Sequence, residues 1–139
     1  PDLPFLCGDV TPRTLRVPEG SVRRHANGAA GVASVTVAVT DLTASLARYA
    51  ALLGLADAPA PLALTGLGLH QASLPLGPSR LVLVAPGGDA QAPGTLALQA
   101  ALGGREAGVI GLALHAPVAA RLPLATTSGA ALELVAATA

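Results

Sequence analysis

The sequence predicts an α+β domain with a mixed, largely antiparallel curved sheet, and three observations support this class. An alternating strand leads directly into an amphipathic helix in the stretch GVASVTVAVTDLTASLARYAALLG, Gly31–Gly54. Several short alternating segments follow this unit. Only one long helix is readable, whereas a parallel sheet needs a crossover helix between successive strands.

The composition limits both the size of the domain and its partners. A chain of 139 residues suits one domain that buries about two thirds of its unfolded surface. Hydrophobic residues make up 52% and aromatic residues 1%, so aliphatic packing forms the core. A net charge of +0 with few aromatic rings lacks the charge and stacking that nucleic-acid binding requires, so no nucleic-acid partner is expected.

The cysteine count and the apolar runs indicate the compartment. Cys7 is the single cysteine, which excludes an internal disulfide and favours a reducing compartment. We interpret it as a small buried hydrophobic residue. His115 and Arg121 interrupt the longest apolar region, so no segment reaches the ~18 residues of a membrane span. The sequence therefore predicts a cytoplasmic protein with no membrane partner.

The first strand and helix show consistent local signals. Valines alternate with small or polar residues along the strand, so one face packs against a core and the other faces outward. Asp41 is placed to cap the helix, and Gly54 suits a left-handed C-terminal cap. An apolar stripe at helical spacing is predicted to face the sheet: Leu42, Leu46, Tyr49, Ala50 and Leu53.

The remaining elements follow from turns and changes of period. A second, short helix is predicted over Ala92–Gly104, with Thr95 as its cap. The N-terminal stretch LPFLCGDV is expected to form an edge strand, followed by a solvated, arginine-containing arm. Further strands are predicted at Leu62–Leu64, Gly68–Leu76, Arg80–Ala85, Val109–Ala116, Arg121–Thr126 and Ala130–Ala136.

The order of these elements resembles a known superfamily. The head stretch GVASVTVAVTDLTASLARYAALLG, the segment GREAGVIGLALHAP and the final TTSGAALELVA carry the likeness. Together they resemble the vicinal oxygen chelate superfamily of glyoxalase I, methylmalonyl-CoA epimerase, bleomycin-resistance proteins and extradiol dioxygenases. The opening PFLCGDVTPRTLRVP, with HANGA before the first strand, is similar to a glyoxalase-like subgroup. The resemblance implies two βαβββ modules that form a cup.

The resemblance also implies a domain organisation. Residues 1–30 form an N-terminal arm and edge strand, and residues 31–139 form a glyoxalase-like domain. Within it, residues 31–91 correspond to the first module, 92–104 to a linker helix and 105–139 to the second module. PVAARLPL, Pro117–Leu124, stands where the second module would have its long helix, so this module is degenerate.

The metal positions of the superfamily are mostly lost. Members that bind a divalent ion take ligands from the first and last strands of each module. The first-strand positions match Ser34 and Gly111, and the last-strand positions match Val82 and Glu133. Only Glu133 keeps a ligand type, and one carboxylate does not hold a divalent ion against water. We therefore expect no metal and no other cofactor, with a divalent metal as the alternative.

Alternation along the strands predicts which residues line the cup. Ser34 and Thr36 are expected there as ligand-binding residues, with Glu133 and His115 as candidate catalytic groups. Glu133 in an apolar cup would have its pKa raised by desolvation and act as a general base. Alternatively, it hydrogen-bonds Ser34, Thr36 or a backbone N–H.

Two histidines complete the set of candidates. His115 is expected at the rim, about 13 Å along its strand from the Gly111 position, as a ligand-binding or catalytic group. The alternative is a structural histidine bonded to a loop. His70 lies beside Gln71 in the predicted hairpin, and either residue is a candidate to face the cup.

Three hypotheses of function follow. The first is a glyoxalase-like domain that binds a small organic molecule without a complete metal site. The second is a metal-dependent lyase, isomerase or dioxygenase whose ligands come partly from another module or chain. The third is a structural or interaction domain with a filled cup. The apolar composition also predicts a homodimer or a preceding module of the same fold.

Overall fold

The computed structural model describes Leu3, Pro4, Gly8 and residues 10–136. Half of the predicted N-terminal edge strand, including Cys7, lies outside the described residues. The helices are α1 (Leu42–Leu52) and α2 (Pro93–Leu102), with 3-10 turns at Arg13–Leu15, Gly20–Arg23 and Leu124–Thr126. The strands are β1 (Gly31–Ala38), β2 (Leu62–Leu64), β3 (Leu69–Leu76), β4 (Ser79–Pro86), β5 (Gly108–Ala116), β6 (Ala120–Arg121) and β7 (Leu132–Ala136).

The strands form one curved, mixed sheet of seven strands, which confirms the predicted α+β class. Their order across the sheet is β2-β3-β4-β1-β5-β7-β6. β1 runs parallel to β4, and β5 runs parallel to β7, while the central β1–β5 pair is antiparallel. The sheet therefore has two related halves that meet at β1 and β5.

Helix α1 forms as its local signals predict. The Asp41 carboxylate accepts a hydrogen bond of 2.9 Å from the backbone N–H of Ala44, and Gly54 adopts a left-handed φ of 66°. The apolar stripe of the helix packs against β1, β3 and β4. The resulting core includes Val37, Leu46, Tyr49, Leu74 and Leu83.

Removing the cap of α1 is expected to lower the stability of the domain. In Asp41→Ala the backbone N–H of Ala44 loses its acceptor, so the free energy of unfolding should fall by about 1 kcal/mol. Urea denaturation followed by circular dichroism measures this change. Asp41→Asn keeps an acceptor oxygen and serves as the control, and equal losses in both variants would show that the cap contributes nothing.

Helix α2 begins differently from the prediction. Thr95 was expected to cap it, but Ala92 is the cap residue and Pro93 occupies the first turn. Proline at this position has the φ angle of a helix and lacks an N–H that would need an acceptor. Thr95 is instead buried inside the helix, with its hydroxyl 3.5 Å from the carbonyl oxygen of Gly68.

The second half of the sheet is shorter than the first. The strand predicted at Arg121–Thr126 is limited to Ala120–Arg121, and Pro123 precedes a 3-10 turn at Leu124–Thr126. Proline lacks the N–H that would continue the strand ladder. No α-helix separates β5 from β6, in contrast to α1 between β1 and β2. Among the described residues, no helix is long and apolar enough to cross a bilayer.

Candidate functional site

The two faces of the sheet differ in what covers them. Helix α1 packs on one face, where Val37 and Leu83 form part of the core. Helix α2 covers only one end of the opposite face, where Leu98 and Leu102 pack against Ala38 and Val84. The rest of that opposite face carries the predicted cup residues, and we call it the concave face. It includes Ser34, Thr36, Val82, Gly111, Ala113 and Glu133.

Strand register aligns five residues of the concave face in one row. Arg80 of β4 pairs with Ser34 of β1, and Ser34 pairs with Ala113 of β5. The row continues through Glu133 of β7 to Arg121 of the edge strand β6. Polar side chains therefore lie on both sides of the small residue Ala113.

A second row of paired residues lies beside the first, and it also contains a small residue, Gly111. It contains Val82, Thr36 and Gly111, from β4, β1 and β5. The β1–β5 register shifts on both sides of this region, between Val32 and Ser34 and between Thr36 and Val37. Such bulges bend strands and are frequent beside functional sites.

The β1, β5 and β7 residues of these rows line an open depression of about 240 Å³. Ser34, Thr36 and Glu133 contribute its polar groups, and small residues form its floor. A methyl group built on Gly111 would lie 3.7 Å from Cβ of Thr36, so the glycine leaves room there for one ordinary contact. The lining comprises Ser34, Thr36, Ile110, Gly111, Leu112, Ala113, Ala131 and Glu133.

Glu133 lies in the depression, but its surroundings differ from the prediction. Its Oε1 forms an ion pair with Nη2 of Arg121 at 2.8 Å, and its side chain is 47% exposed. It was expected to be desolvated in an apolar cup or to bond Ser34 or Thr36. The structure supplies a different partner because β6, which lies within the segment Pro117–Leu124, brings Arg121 alongside Glu133.

His115 shares the strand face of Ala113 but lies outside the depression. It pairs with Gly31 at the opposite end of β1, and its carbonyl oxygen accepts a 2.9 Å hydrogen bond from the N–H of Ala30. Its Nδ1 is buried and has no hydrogen-bond partner among the described residues. The structure thus places His115 beside the loop that precedes β1.

His70 lies on the face opposite the cup. It pairs with Ala85, which belongs to the core beneath α1, and its side chain is exposed. Its neighbour Gln71 pairs with Val84 and therefore faces the concave side. The prediction that either residue faces the cup is resolved in favour of Gln71, so His70 is removed from the ligand-binding set.

Arg80 is a concave-face residue that the sequence reasoning missed. Its Nη1 donates a hydrogen bond of 3.3 Å to the hydroxyl of Ser73, which pairs with Val82 on the same face. Alternation along β4 would have found it, because Arg80 is two residues before Val82. Arg80, Arg121 and Glu133 are the charged residues of the seven strands, and register puts all three on the concave face.

Several solved structures are similar to the fold of this chain. The methylmalonyl-CoA epimerase of Mycobacterium tuberculosis matches 83% of this chain over 93% of its own length, with a TM-score of 0.61 and 18% identity. The chain shares its fold with methylmalonyl-CoA epimerase. This enzyme is a member of the vicinal oxygen chelate superfamily, so the resemblance is confirmed at the level of the fold. No protein-family model and no curated protein matches the sequence.

Two further structures agree with this fold. The Streptomyces coelicolor epimerase, solved in complex with 2-nitronate-propionyl-CoA, matches 81% of this chain over 100% of its own, with a TM-score of 0.62 and 17% identity. A hypothetical protein from Bacillus halodurans matches 78% of this chain over 94% of its own, with a TM-score of 0.60 and 18% identity.

The four residues that the sequence resemblance matches to metal positions do not fit a divalent ion. Val82 has an apolar side chain and Gly111 has none, so neither offers a side-chain metal ligand. The Glu133 carboxylate already pairs with Arg121 at 2.8 Å. Ser34 offers only a neutral hydroxyl, which is a weak ligand beside carboxylate or imidazole. In the described part of the chain, no group of three or more His, Cys, Asp or Glu side chains has metal-binding geometry.

Proposed function

We propose that this chain is a glyoxalase-like domain that binds a small organic molecule in the depression of the concave face. The observation that carries the proposal is the open space of about 240 Å³ between Ser34, Thr36 and Glu133, at the junction of the two halves of the sheet. An open, partly polar depression argues against the alternative of a filled, purely structural cup.

The lining indicates the kind of molecule. Two hydroxyl groups on one side and the Glu133 carboxylate on the other provide both donors and acceptors. Gly111, Ala113 and Ala131 between them offer a narrow surface without long side chains. Ligand pockets for larger molecules usually measure about 300–1,000 Å³, so this depression suits a small ligand or one part of a larger ligand.

The ion pair also limits a catalytic role of Glu133. A general base needs a carboxylate within hydrogen-bond reach of the proton it removes. Here one carboxylate oxygen is bonded to Arg121, and the side chain is half exposed. We therefore assign Glu133 to ligand positioning, with Arg121 holding its carboxylate at the edge of the depression.

The quaternary structure and location belong to the same proposal. A homodimer, or a preceding module of the same fold, follows from the high apolar fraction of 52%. A cytoplasmic location follows from the single cysteine.

Filling the depression is expected to abolish ligand binding. In Gly111→Val, the added side chain occupies the space beside Thr36, so small acids, amides and alcohols should no longer shift the backbone NMR signals around β1 and β5. The experiment screens a library of such fragments by 1H–15N NMR against both proteins. Binding to the unmodified chain should perturb Ser34, Thr36 and Gly111.

The matched control is Gly111→Ala. Its methyl group makes only an ordinary 3.7 Å contact with Cβ of Thr36, so this variant should keep the fold and most of the binding. Valine suits a strand, so a folded NMR spectrum of Gly111→Val is expected. Fragment shifts that persist in Gly111→Val, or that cluster away from β1 and β5 in the unmodified chain, would refute the site.

A further inference from the structure

The depression adjoins a second, larger cavity, which we call the cleft. We infer that the two cavities form one site, which binds an uncharged molecule with a hydrogen-bonding head and an unbranched aliphatic chain. The head lies in the depression, and the chain extends into the cleft. This inference rests on the proposed function, because it places the head of the ligand in the depression described above.

The cleft lies between the C-terminal end of α2 and the turn that precedes β7, and its volume is about 450 Å³. That volume alone falls within the range of about 300–1,000 Å³ that is usual for ligand pockets. Most of its lining residues are aliphatic, among them Ala101, Val109, Ile110 and Leu132. Arg105 is the only charged residue in the described lining, so the cleft suits an apolar group.

The cleft and the depression share a boundary on β5 and at the start of β7. Four residues line both cavities: Ile110, Gly111, Leu112 and Ala131. Gly111 has no side chain and Ala131 has only a methyl group, so a narrow chain has room to pass between the cavities. The backbone N–H of Leu112 donates a hydrogen bond of 2.9 Å to the carbonyl oxygen of Ala131, which fixes the two strands at this boundary.

Hydrogen bonds hold both walls of the cleft in place. On the α2 side, Nε of Arg105 donates a hydrogen bond of 2.9 Å to the carbonyl oxygen of Leu102. On the other side, the backbone N–H of Gly129 donates a hydrogen bond of 2.8 Å to the carbonyl oxygen of Leu124. Walls that are ordered before binding lose little conformational entropy when a ligand enters.

The charged groups of the site already have partners, which favours an uncharged ligand. Nε and Nη2 of Arg105 donate to the carbonyl oxygens of Leu102 and Ala101, at the negative end of the α2 dipole. The Glu133 carboxylate pairs with Arg121 at 2.8 Å. An anionic head would lie beside that carboxylate, whereas an amide or alcohol donates a hydrogen bond to it and accepts one from the hydroxyl groups of the depression.

The test is a series of unbranched primary amides of increasing length, from acetamide to hexanamide. Each amide is titrated against the full chain by 1H–15N NMR. All of them should perturb Ser34 and Gly111 through the head, and only the longer ones should perturb Ala130 and Leu132. Each added methylene should tighten binding about threefold to fourfold, because it is buried in the cleft.

Ala101→Leu fills the cleft and leaves the depression open. Ala101 is exposed on α2 and lines the cleft but not the depression, and leucine is favourable in a helix. This variant should weaken hexanamide about tenfold, the gain from about two methylenes, and leave acetamide unchanged. Ala100→Leu is the matched control and should change neither affinity, because Ala100 is also exposed on α2 but does not line the cleft.

Hexanoate tests the charge of the head. It has the same chain length as hexanamide but carries a carboxylate and lacks the N–H donors of the amide. It should bind more weakly than hexanamide, because its negative charge would lie beside Glu133. Tighter binding of hexanoate would overturn the assignment of an uncharged head.

The outcomes distinguish the inference from the proposed function. Equal affinities of acetamide and hexanamide would overturn the cleft as part of the site, while the depression remains a binding site. A chain-length gain that survives in Ala101→Leu, or an equal loss in Ala100→Leu, would do the same. If neither short nor long amides perturb the residues of the depression, the proposed function fails and the inference fails with it.

Discussion

Replacing Leu83 with alanine is expected to lower the free energy of unfolding by about 2–5 kcal/mol. Leu83 is 0% exposed, pairs with Val37 and Ala72 on its two neighbouring strands, and belongs to the core beneath α1. Alanine there leaves a cavity that the surrounding aliphatic side chains fill only partly. Urea denaturation by circular dichroism is the appropriate measurement, because the chain has no tryptophan for a fluorescence signal.

Leu76→Ala on β3 is the matched control for Leu83→Ala. Leu76 is 46% exposed, so the same loss of side-chain atoms should cost at most about 1 kcal/mol. Similar losses in the two variants would contradict the assignment of the core to the α1 face. The contrast also bears on the candidate site, because Leu83 anchors the same strand that presents Arg80 and Val82 on its other face.

The first strand and helix were predictable because their signals are local. Alternating valines, the Asp41 cap and the left-handed Gly54 all act within a few residues, and the structure confirms β1 and α1. The later errors involve proline. Pro93 sets the start of α2 in place of the Thr95 cap, and Pro123 ends the strand that was expected to continue to Thr126.

Period-2 alternation along the strands predicts which face of the sheet each site residue occupies, and that part of the candidate site was predictable. Alternation placed Ser34, Thr36 and Glu133 on one face, and the structure brings these three together in the depression. The partner of Glu133 depends on which residue of the preceding strand β6 lies opposite it. That register comes from packing and turn geometry, so no local pattern indicated Arg121.

The exposure of Glu133 follows from the short length of the neighbouring strand β6. Glu133 was expected to be desolvated in an apolar cup. Instead, β7 is covered at its outer edge by β6, which has only two residues, so solvent reaches the carboxylate and its side chain is 47% exposed. The short β6 therefore leaves the one acidic side chain of the depression partly open to solvent.

Gly68→Ala is expected to destabilise the domain by about 2–5 kcal/mol, through two effects at one position. Gly68 has a φ of 66°, a left-handed conformation that costs a residue with a Cβ about 1–2 kcal/mol. The added methyl group would also overlap Cβ of Ala92, the cap residue of α2, and such overpacking typically costs about 1–3 kcal/mol. The carbonyl oxygen of Gly68 accepts a 2.8 Å hydrogen bond from the N–H of Gly87, so the turn has little freedom to move away.

Two comparisons separate the backbone effect from the steric effect in Gly68→Ala. Gly77→Ala introduces a methyl group at a similar φ of 60° with nothing within 4 Å, so it should show the conformational cost alone. Adding Ala92→Gly to Gly68→Ala removes the overlapping methyl group and should restore about 1–3 kcal/mol, since glycine is tolerated at a helix cap. The rescue should also return the NMR signals of Leu98 and Leu102, which pack α2 against the concave face, to their original positions. If the double variant were no more stable than Gly68→Ala, contact with Ala92 would not be the cause, and the turn would not position α2 at the end of the concave face.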